Sequence, residues 1–236
     1  EEHLKRHGEL LKNELRVLAD ISGDKNMIDA FKNNQDIHAI TASQVFNMPL
    51  DFVTGEMRSR AKAVNFGIVY GIGAYSLAKD IGVTNKEAKN YIESYLKHYS
   101  GIDKYMHDVV EKAKDTGYVE TVFGRRRYLP ELSASNGMTR AFGERVARNA
   151  PIQGTAADII KIAMIKVDKR LTEENLEARL VLQVHDELIV ECPSHESMRV
   201  AMILQEEMEK AVSLSVPLVA DSAVGKTWYD AKYSFN

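Results

Sequence analysis

Four residues spaced four apart, Arg58, Lys62, Phe66 and Tyr70, set two cations ahead of two aromatic rings. On a helix each such step advances about 6 Å and turns about 40°, so the four form a slowly winding stripe roughly 18 Å long. A nucleoside triphosphate has the same polarity, with anionic phosphates at one end and a flat base at the other. Charge-assisted hydrogen bonds would hold the phosphates, and Phe66 would give the base a stacking platform. Gly67 and Gly71 cost helix stability, which implies a close approach or a bend. An amphipathic helix with snorkelling cations and core aromatics has the same spacing, so the stripe alone leaves both readings open.

A second constellation is Gln183-Val184-His185-Asp186-Glu187, with apolar runs on either side. Burying two adjacent carboxylates in a strand would be costly. A hairpin turn exposes them, and their hard oxygens suit Mg²⁺. A solvated acidic turn fits the same string. A third is Gly124–Arg148, where six arginines stand against two glutamates for a net charge of +4. Such a stretch marks a local basic face that could meet phosphates, or an arginine-rich surface paired with acids elsewhere. His3 and His7, four apart, could hold a metal, although a solvated helix face carries the same spacing.

These residues need elements to position them. Lys25–Lys32, Ile37–Asn47 and Thr54–Tyr70 read as helices. Thr84 and Glu87 form a capping box that opens a helix to about Tyr99. Ile102–Asp115 follows and stops at Gly117. Tyr118–Val122 and Arg127–Leu129 alternate as a hairpin around Gly124. Thr139–Asn149 and Thr155–Leu171 read as two helices split at Pro151 and Gly154. Beyond them Ala178–Val184 and Leu188–Cys192 read as strands about a His185-Asp186-Glu187 turn. Glu196–Val212 reads as a helix and Val216–Val224 as a last strand. Leu4, Leu11, Leu15 and Leu18 recur at helical spacing, so residues 1–13 read as helix. A helix-rich middle with sparse antiparallel strands predicts an α+β fold rather than alternating α/β.

Composition narrows the class. The chain has 236 residues, 44% apolar and 28% charged, which excludes wholesale disorder and collagen-like repeats. No apolar run reaches the length of a bilayer span, and the charged opening Glu1–Asn13 does not read as a secretory leader. The lone Cys192 excludes an internal disulfide and CxxC zinc spacing. A net charge of −3 argues against a uniformly basic DNA-coating protein.

Taken together the strings resemble family A DNA polymerases of the bacterial DNA polymerase I type, nearly unbroken from Glu14 to about Lys232. Arg58-x3-Lys62-x3-Phe66-Gly67-x2-Tyr70-Gly71 resembles the family's motif B, and Gln183 to Glu187 its motif C. Gly117-Tyr118-Val119-Glu120-Thr121-Val122-Phe123-Gly124-Arg125-Arg126-Arg127-Tyr128-Leu129-Pro130 and Pro151-Ile152-Gln153-Gly154-Thr155-Ala156-Ala157-Asp158 are near-verbatim family signatures.

The resemblance implies roles by position. Arg58 and Lys62 bind the incoming deoxynucleoside triphosphate, assisted by His38. Phe66 stacks on its base and sets the tolerance for sugars lacking a 3′-hydroxyl, and Tyr70 closes the templating-base pocket. Glu14 crowds the sugar 2′ position and so favours deoxyribose. Arg145, Asn149, Gln153 and His185 grip primer-template DNA. Asp186 ligates catalytic Mg²⁺ with Glu187 beside it, and these ions activate the primer 3′-hydroxyl and stabilise leaving pyrophosphate. Residues 36–137 are then fingers, and 14–35 with 138–236 are palm. The implied molecule is a cytoplasmic, nucleoid-associated monomer with no membrane partner.

Two departures stand out. The family's motif A opens Asp-Tyr-Ser-Gln-Ile, whereas Glu9-Leu10-Leu11-Lys12-Asn13 stands here. Glu9 thus takes the place of the first metal-binding Asp, inside an atypical segment, 1–13. The thumb, the exonuclease-like region and the earlier palm have no counterpart. The chain by itself is therefore expected to be weakly active or inactive. The alternative is a non-catalytic nucleotide- or DNA-binding module, or an engineered structural fragment.

Overall fold

The computed structural model describes residues 3–10 by their backbone and residues 13–233 in full. The chain divides into two compact units, residues 1–17 with 154–236, and residues 18–153. Helix-rich sequence on small antiparallel sheets makes the fold α+β, as expected. No helix among the described residues is long and apolar enough to cross a membrane.

The first unit is built on a four-stranded sheet ordered β4-β5-β1-β6, from β1 (His3–Leu10), β4 (Arg179–Val184), β5 (Glu187–Pro193) and β6 (Ala220–Gly225). Every pairing is antiparallel. β5 lies between β4 and β1, and Leu188, Ile189, Val190 and Cys192 along it are buried. Helix α9 (Ser197–Glu209) buries Val200, Ile203, Leu204 and Met208, one helical stripe. Helix α10 (Trp228–Tyr233) folds back tightly on β6. A Cβ at Gly225 would lie 2.3 Å from the Ala231 backbone nitrogen, so only glycine fits there.

The helix expected over residues 1–13 is a correction. His3–Leu10 is a strand, and the first helix, α1 (Asn13–Ser22), starts only at Asn13. The reason is long-range: β1 pairs with β5 on one side and β6 on the other. Sheet pairing outweighs a few helically spaced leucines. The metal reading of His3 and His7 concerns side chains that lie outside the described residues.

The second unit holds α2 (Lys25–Lys32), α3 (Ile37–Val45), α4 (Gly55–Val69), α5 (Ala74–Ile81), α6 (Asn85–His98) and α7 (Ser100–Thr116). After them comes the hairpin β2 (Tyr118–Glu120) and β3 (Arg126–Tyr128). Thr84 and Glu87 make the full capping box, and Gly117 ends α7 in the left-handed conformation. Val119, Leu129, Leu132 and Ala147 share one core with Val110 and Ala113, tying the hairpin to α7 and to the first half of the helix that follows, α8 (Gly137–Glu173).

Helix α8 (Gly137–Glu173) runs unbroken through Pro151, where the sequence predicts two helices. Proline denies the Ala147 carbonyl its helical donor. Next to that gap the Tyr105 hydroxyl donates to the Arg148 carbonyl at 3.2 Å, so α7 braces the weakened turn. The last strand also begins later than the expected Val216, at Ala220.

Candidate active site

The described chemistry falls into two groups, one in each compact unit. In the second unit α4 presents the predicted stripe. Thr54 caps the helix by accepting from the Met57 N–H. Lys62 is exposed, Arg58 and Phe66 are half-buried, and Tyr70 is the C-cap residue. The Phe66 and Tyr70 rings stack with centroids 6.0 Å apart at 29°. Cations and rings thus keep the order that their spacing implies.

Residues from α3 fix this stripe. Asp36 caps α3, accepting from the His38 and Ala39 N–H groups. Its other oxygen takes a hydrogen bond from Arg58 Nε at 2.6 Å. That bond orients the guanidinium and leaves the two Nη groups to face other oxygens. His38 is buried, with its ring 6.0 Å from that of Phe66. Thr41 donates to Asn65 Oδ1 at 2.8 Å, and the Asn65 amide lies 2.8 Å from His38 Nδ1. The amide nitrogen must then donate to Nδ1, which puts the neutral ring's proton on Nε2. Asp36 and Asn65 escaped the sequence reading as positioning residues. The only signals were the cap-forming Asp36 before a helix and a polar Asn65 on the apolar side of α4.

After Tyr70 the chain turns at Gly71, where φ is +75°. A Cβ there would lie 3.6 Å from Arg148 Nη1 and 3.7 Å from Arg145 Cγ, ordinary contact distances. Backbone conformation, rather than space, is what calls for glycine. On α8, Arg145, Asn149 and Gln153 follow at intervals of four. Arg145 and Gln153 are exposed, and Asn149 Oδ1 is buried with no hydrogen-bond partner among the described residues. Parts of the arginine-rich stretch are occupied internally. Arg126 pairs with Glu120 and lies over the Tyr118 ring, Arg140 donates to two backbone carbonyls, and Arg148 pairs with Glu144.

In the first unit the acidic string forms a tight turn. It holds two residues, His185 and Asp186, and Glu187 is already the first residue of β5. His185 sits at φ +53°, a left-handed conformation unusual for a non-glycine residue. Gln183 donates to the His185 carbonyl at 2.6 Å and braces the turn. Burial pushes the Asp186 carboxyl above the usual carboxylate range, helped by the neighbouring Glu187 charge and opposed by a backbone hydrogen bond. Glu187 is buried, and the Lys232 ammonium reaches its Oε1 at 2.5 Å. Glu187 is thereby tied to α10, while Asp186 stays half-buried in the turn. A half-buried carboxylate whose charge is disfavoured, made of hard oxygens, suits a divalent cation such as Mg²⁺.

Glu9 pairs by backbone register with Glu187 on one side and Asp221 on the other. Its proposed metal-binding carboxylate lies outside the described residues. Glu14 is half-buried in the first turn of α1. Two residues on, Arg16 is buried and donates to the Pro217 carbonyl, a positioning contact the sequence did not announce.

The profile of DNA polymerase family A matches residues 11–230. The chain belongs to that family. DNA polymerase I of Bacillus subtilis is 54% identical over 219 residues, and that of Bacillus caldotenax 53%. Each match covers 93% of this chain and 25% of the relative, so the chain spans about a quarter of the length of these curated relatives. A solved polymerase domain of Pol1 from M. smegmatis, in complex with DNA primer-template and dNTP, superposes with a TM-score of 0.93 at 42% identity. It aligns with 98% of this chain, which covers 41% of that one. The matched profile begins only after β1, so the Glu9 stretch lies outside the profile match, although the structural match covers nearly the whole chain.

Proposed function

We propose that this chain carries the nucleotide-binding and acidic elements of a template-directed DNA polymerase, which joins a deoxynucleotide to a primer 3′-hydroxyl and releases pyrophosphate. One observation carries the reading. Exposed Lys62 and the Asp36-oriented Arg58 precede the stacked Phe66 and Tyr70 rings on one helix. The solved relative that holds DNA primer-template and dNTP supports it.

In this scheme Lys62 and the Nη groups of Arg58 neutralise the triphosphate oxygens. His38 adds a neutral Nε2–H donor. Phe66 receives the incoming base, and Tyr70 closes the templating side at the Gly71 turn. Glu14 excludes a 2′-hydroxyl. Arg145, Asn149, Gln153 and His185 hold primer and template. Asp186 holds magnesium, and Glu9, opposite Glu187 in the register, is the candidate for a second carboxylate. Glu187, bound to Lys232, keeps the turn in place rather than ligating directly. When bound, magnesium supplies Lewis-acid stabilisation to the oxygens that gain charge during phosphoryl transfer.

Residues 36–137 form the fingers and the four-stranded sheet belongs to the palm. The protein acts as a cytoplasmic, nucleoid-associated monomer, and this chain alone is weakly active or inactive.

The test combines binding with turnover. Labelled dNTP is titrated in Mg²⁺ onto the chain and its Lys62→Ala variant, and primer extension is followed with Asp186→Asn. Affinity should fall at least 10-fold in the first variant, and extension should vanish in the second. Failure of the unaltered chain to bind dNTP or primer-template DNA would overturn the reading.

A further inference from the structure

At the end of β4 away from the Asp186 turn, the first unit brings together Glu177, His195 and Glu196. Glu177 stands two residues ahead of β4, and His195 and Glu196 lie in a 3-10 turn (Ser194–Glu196) between β5 and α9. One donor atom from each residue lies within 4.8 Å of the other two. The Glu196 side chain is only 9% exposed, and His195 Nε2 lies 4.0 Å from its Oε1. The Glu177 N–H donates to Glu196 Oε1 at 2.9 Å and the Ala178 N–H to Oε2 at 3.1 Å. Each carboxylate oxygen carries two lone pairs, so each keeps one for a further partner. Glu177 and His195 are exposed.

Charge balance sets this cluster apart from its neighbours. Glu174 is held by Arg170 and Arg199, and Glu187 by Lys232. Glu177 and Glu196 form no ion pair with a lysine or arginine among the described residues. Two carboxylates brought together, one of them withdrawn from water, repel each other and call for a cation. The group set beside them is an imidazole, whose neutral nitrogen is a metal ligand.

We propose that Glu177, His195 and Glu196 hold a structural zinc ion, at a site separate from the acidic turn of the polymerase reading. Imidazole with carboxylates suits zinc, whereas magnesium takes oxygen ligands. Three atoms mutually within 4.8 Å share a centre no more than about 2.8 Å from each, and zinc needs about 2.0–2.1 Å. Rotation of the exposed Glu177 and His195 side chains closes that gap while Glu196 stays fixed by its two backbone donors. Water completes the tetrahedron. The ion ties the residues ahead of β4 to the link between β5 and α9. β4 is an edge strand of the four-stranded sheet, hydrogen-bonded to β5 on one side. A metal staple at its start therefore stabilises the strand that leads into the Asp186 turn.

The experiment titrates the metal-free, tag-free chain with Zn²⁺ by calorimetry and follows its thermal melting, both in millimolar Mg²⁺ to occupy the acidic turn. Zinc should bind with micromolar affinity and raise the melting temperature. His195→Ala and Glu177→Gln should each weaken zinc at least about 10-fold, since the loss of even an outer-shell partner costs that much. Each should also abolish the rise in melting temperature. Both changes are at exposed positions, and melting without zinc checks that the variants fold. Asp186→Asn should bind zinc as the unaltered chain does. X-ray absorption at the zinc edge should show an imidazole among oxygen ligands. Absence of zinc binding would reduce His195 to an ion-pair partner of Glu196 and overturn the site. Affinity that survives His195→Ala, or that is lost in Asp186→Asn, would put the ion elsewhere and overturn it as well. None of these outcomes touches the polymerase reading, which stands or falls on dNTP binding and primer extension.

Discussion

The α4 stripe and the β4–β5 turn carry opposite charges and are stabilised by opposite means. The stripe is satisfied before any ligand arrives. Asp36 holds Arg58, Thr41 and Asn65 orient His38, and Phe66 rests against Tyr70. The turn is held under tension. His185 is left-handed, burial disfavours the Asp186 charge, and the adjacent Glu187 adds repulsion. A cation-presenting site can be preorganised with ordinary hydrogen bonds because its charges stay in water. An anionic site that must grip a dication works by withholding water from its carboxylate, at a cost to the unliganded fold.

The sharpest break in this contrast is Asp186→Asn. The nucleotide incorporation rate should fall on the order of 1000-fold, with dNTP affinity changed little. The unliganded fold should become more stable, because a disfavoured charge is gone. The pH dependence agrees in sign. The folded pKa of Asp186 lies above its unfolded value, so between the two the folded state binds more protons. Stability should therefore rise as pH falls through that window, and Asp186→Asn should remove the rise. A melting series from pH 7 to pH 4 checks it, and identical profiles for the two proteins would contradict the desolvation account.

On the other side, Lys62→Ala should weaken dNTP binding about 10- to 100-fold, the loss of one charge-assisted contact, with no change in melting temperature because Lys62 is exposed. Asn65→Leu should show the reverse split. It strands the Thr41 hydroxyl and His38 Nδ1 in the interior, costing about 1–3 kcal/mol of stability by urea denaturation. A Lys62→Ala variant that melts early, or an Asn65→Leu variant as stable as its parent, would show that the stripe is not prepared in the way described.

How far the sequence discloses such detail depends on the reach of each interaction. The capping box of Thr84 and Glu87 and the Gly117 stop are local, and both were legible. The Arg58 to Tyr70 stripe was legible because one helix carries all of it. Asp36 and Asn65 act across some 22 to 27 residues of chain, and nothing in their own neighbourhood announces the partner. β1 misled because its sheet neighbours come from residues near 190 and 222, while Leu4 continues the helical spacing of Leu11, Leu15 and Leu18 that follow it in the sequence. Pro151 misled for a similar reason: the hydroxyl bracing its turn comes from Tyr105, on another helix.

Backbone strain offers a matched pair. His185 and Gly71 both occupy left-handed conformations, at φ +53° and +75°. His185→Gly should stabilise the chain by about 1 kcal/mol, and Gly71→Ala should destabilise it by about 1–2 kcal/mol. Chemical denaturation of both variants decides the matter. Equal and opposite signs support the account of a relaxed stripe and a tense turn.

The smallest effect concerns a carboxylate whose shift opposes that of Asp186. At the end of α8 Glu174 is clamped by Arg199 at 2.5 Å and 2.6 Å and by Arg170 at 2.6 Å. The Arg199 hydrogen bonds first, and Arg170 second, hold its carboxyl down to about 2. A depressed folded pKa contributes stability that is present above the unfolded value near 4.5 and is lost as pH falls toward 2. The Glu174 clamp is only half-buried, so salt should screen it in part. Acid titration of Glu174→Gln should therefore show a shallower loss of stability below pH 4.5 than the unaltered chain, and the difference should shrink in 1 M salt. Asp186 and Glu174 then bend the same acid limb in opposite directions, one because it is deprived of water and the other because it is surrounded by cations. A Glu174→Gln variant with an unchanged acid limb at low salt would mean that the clamp contributes geometry without net stability.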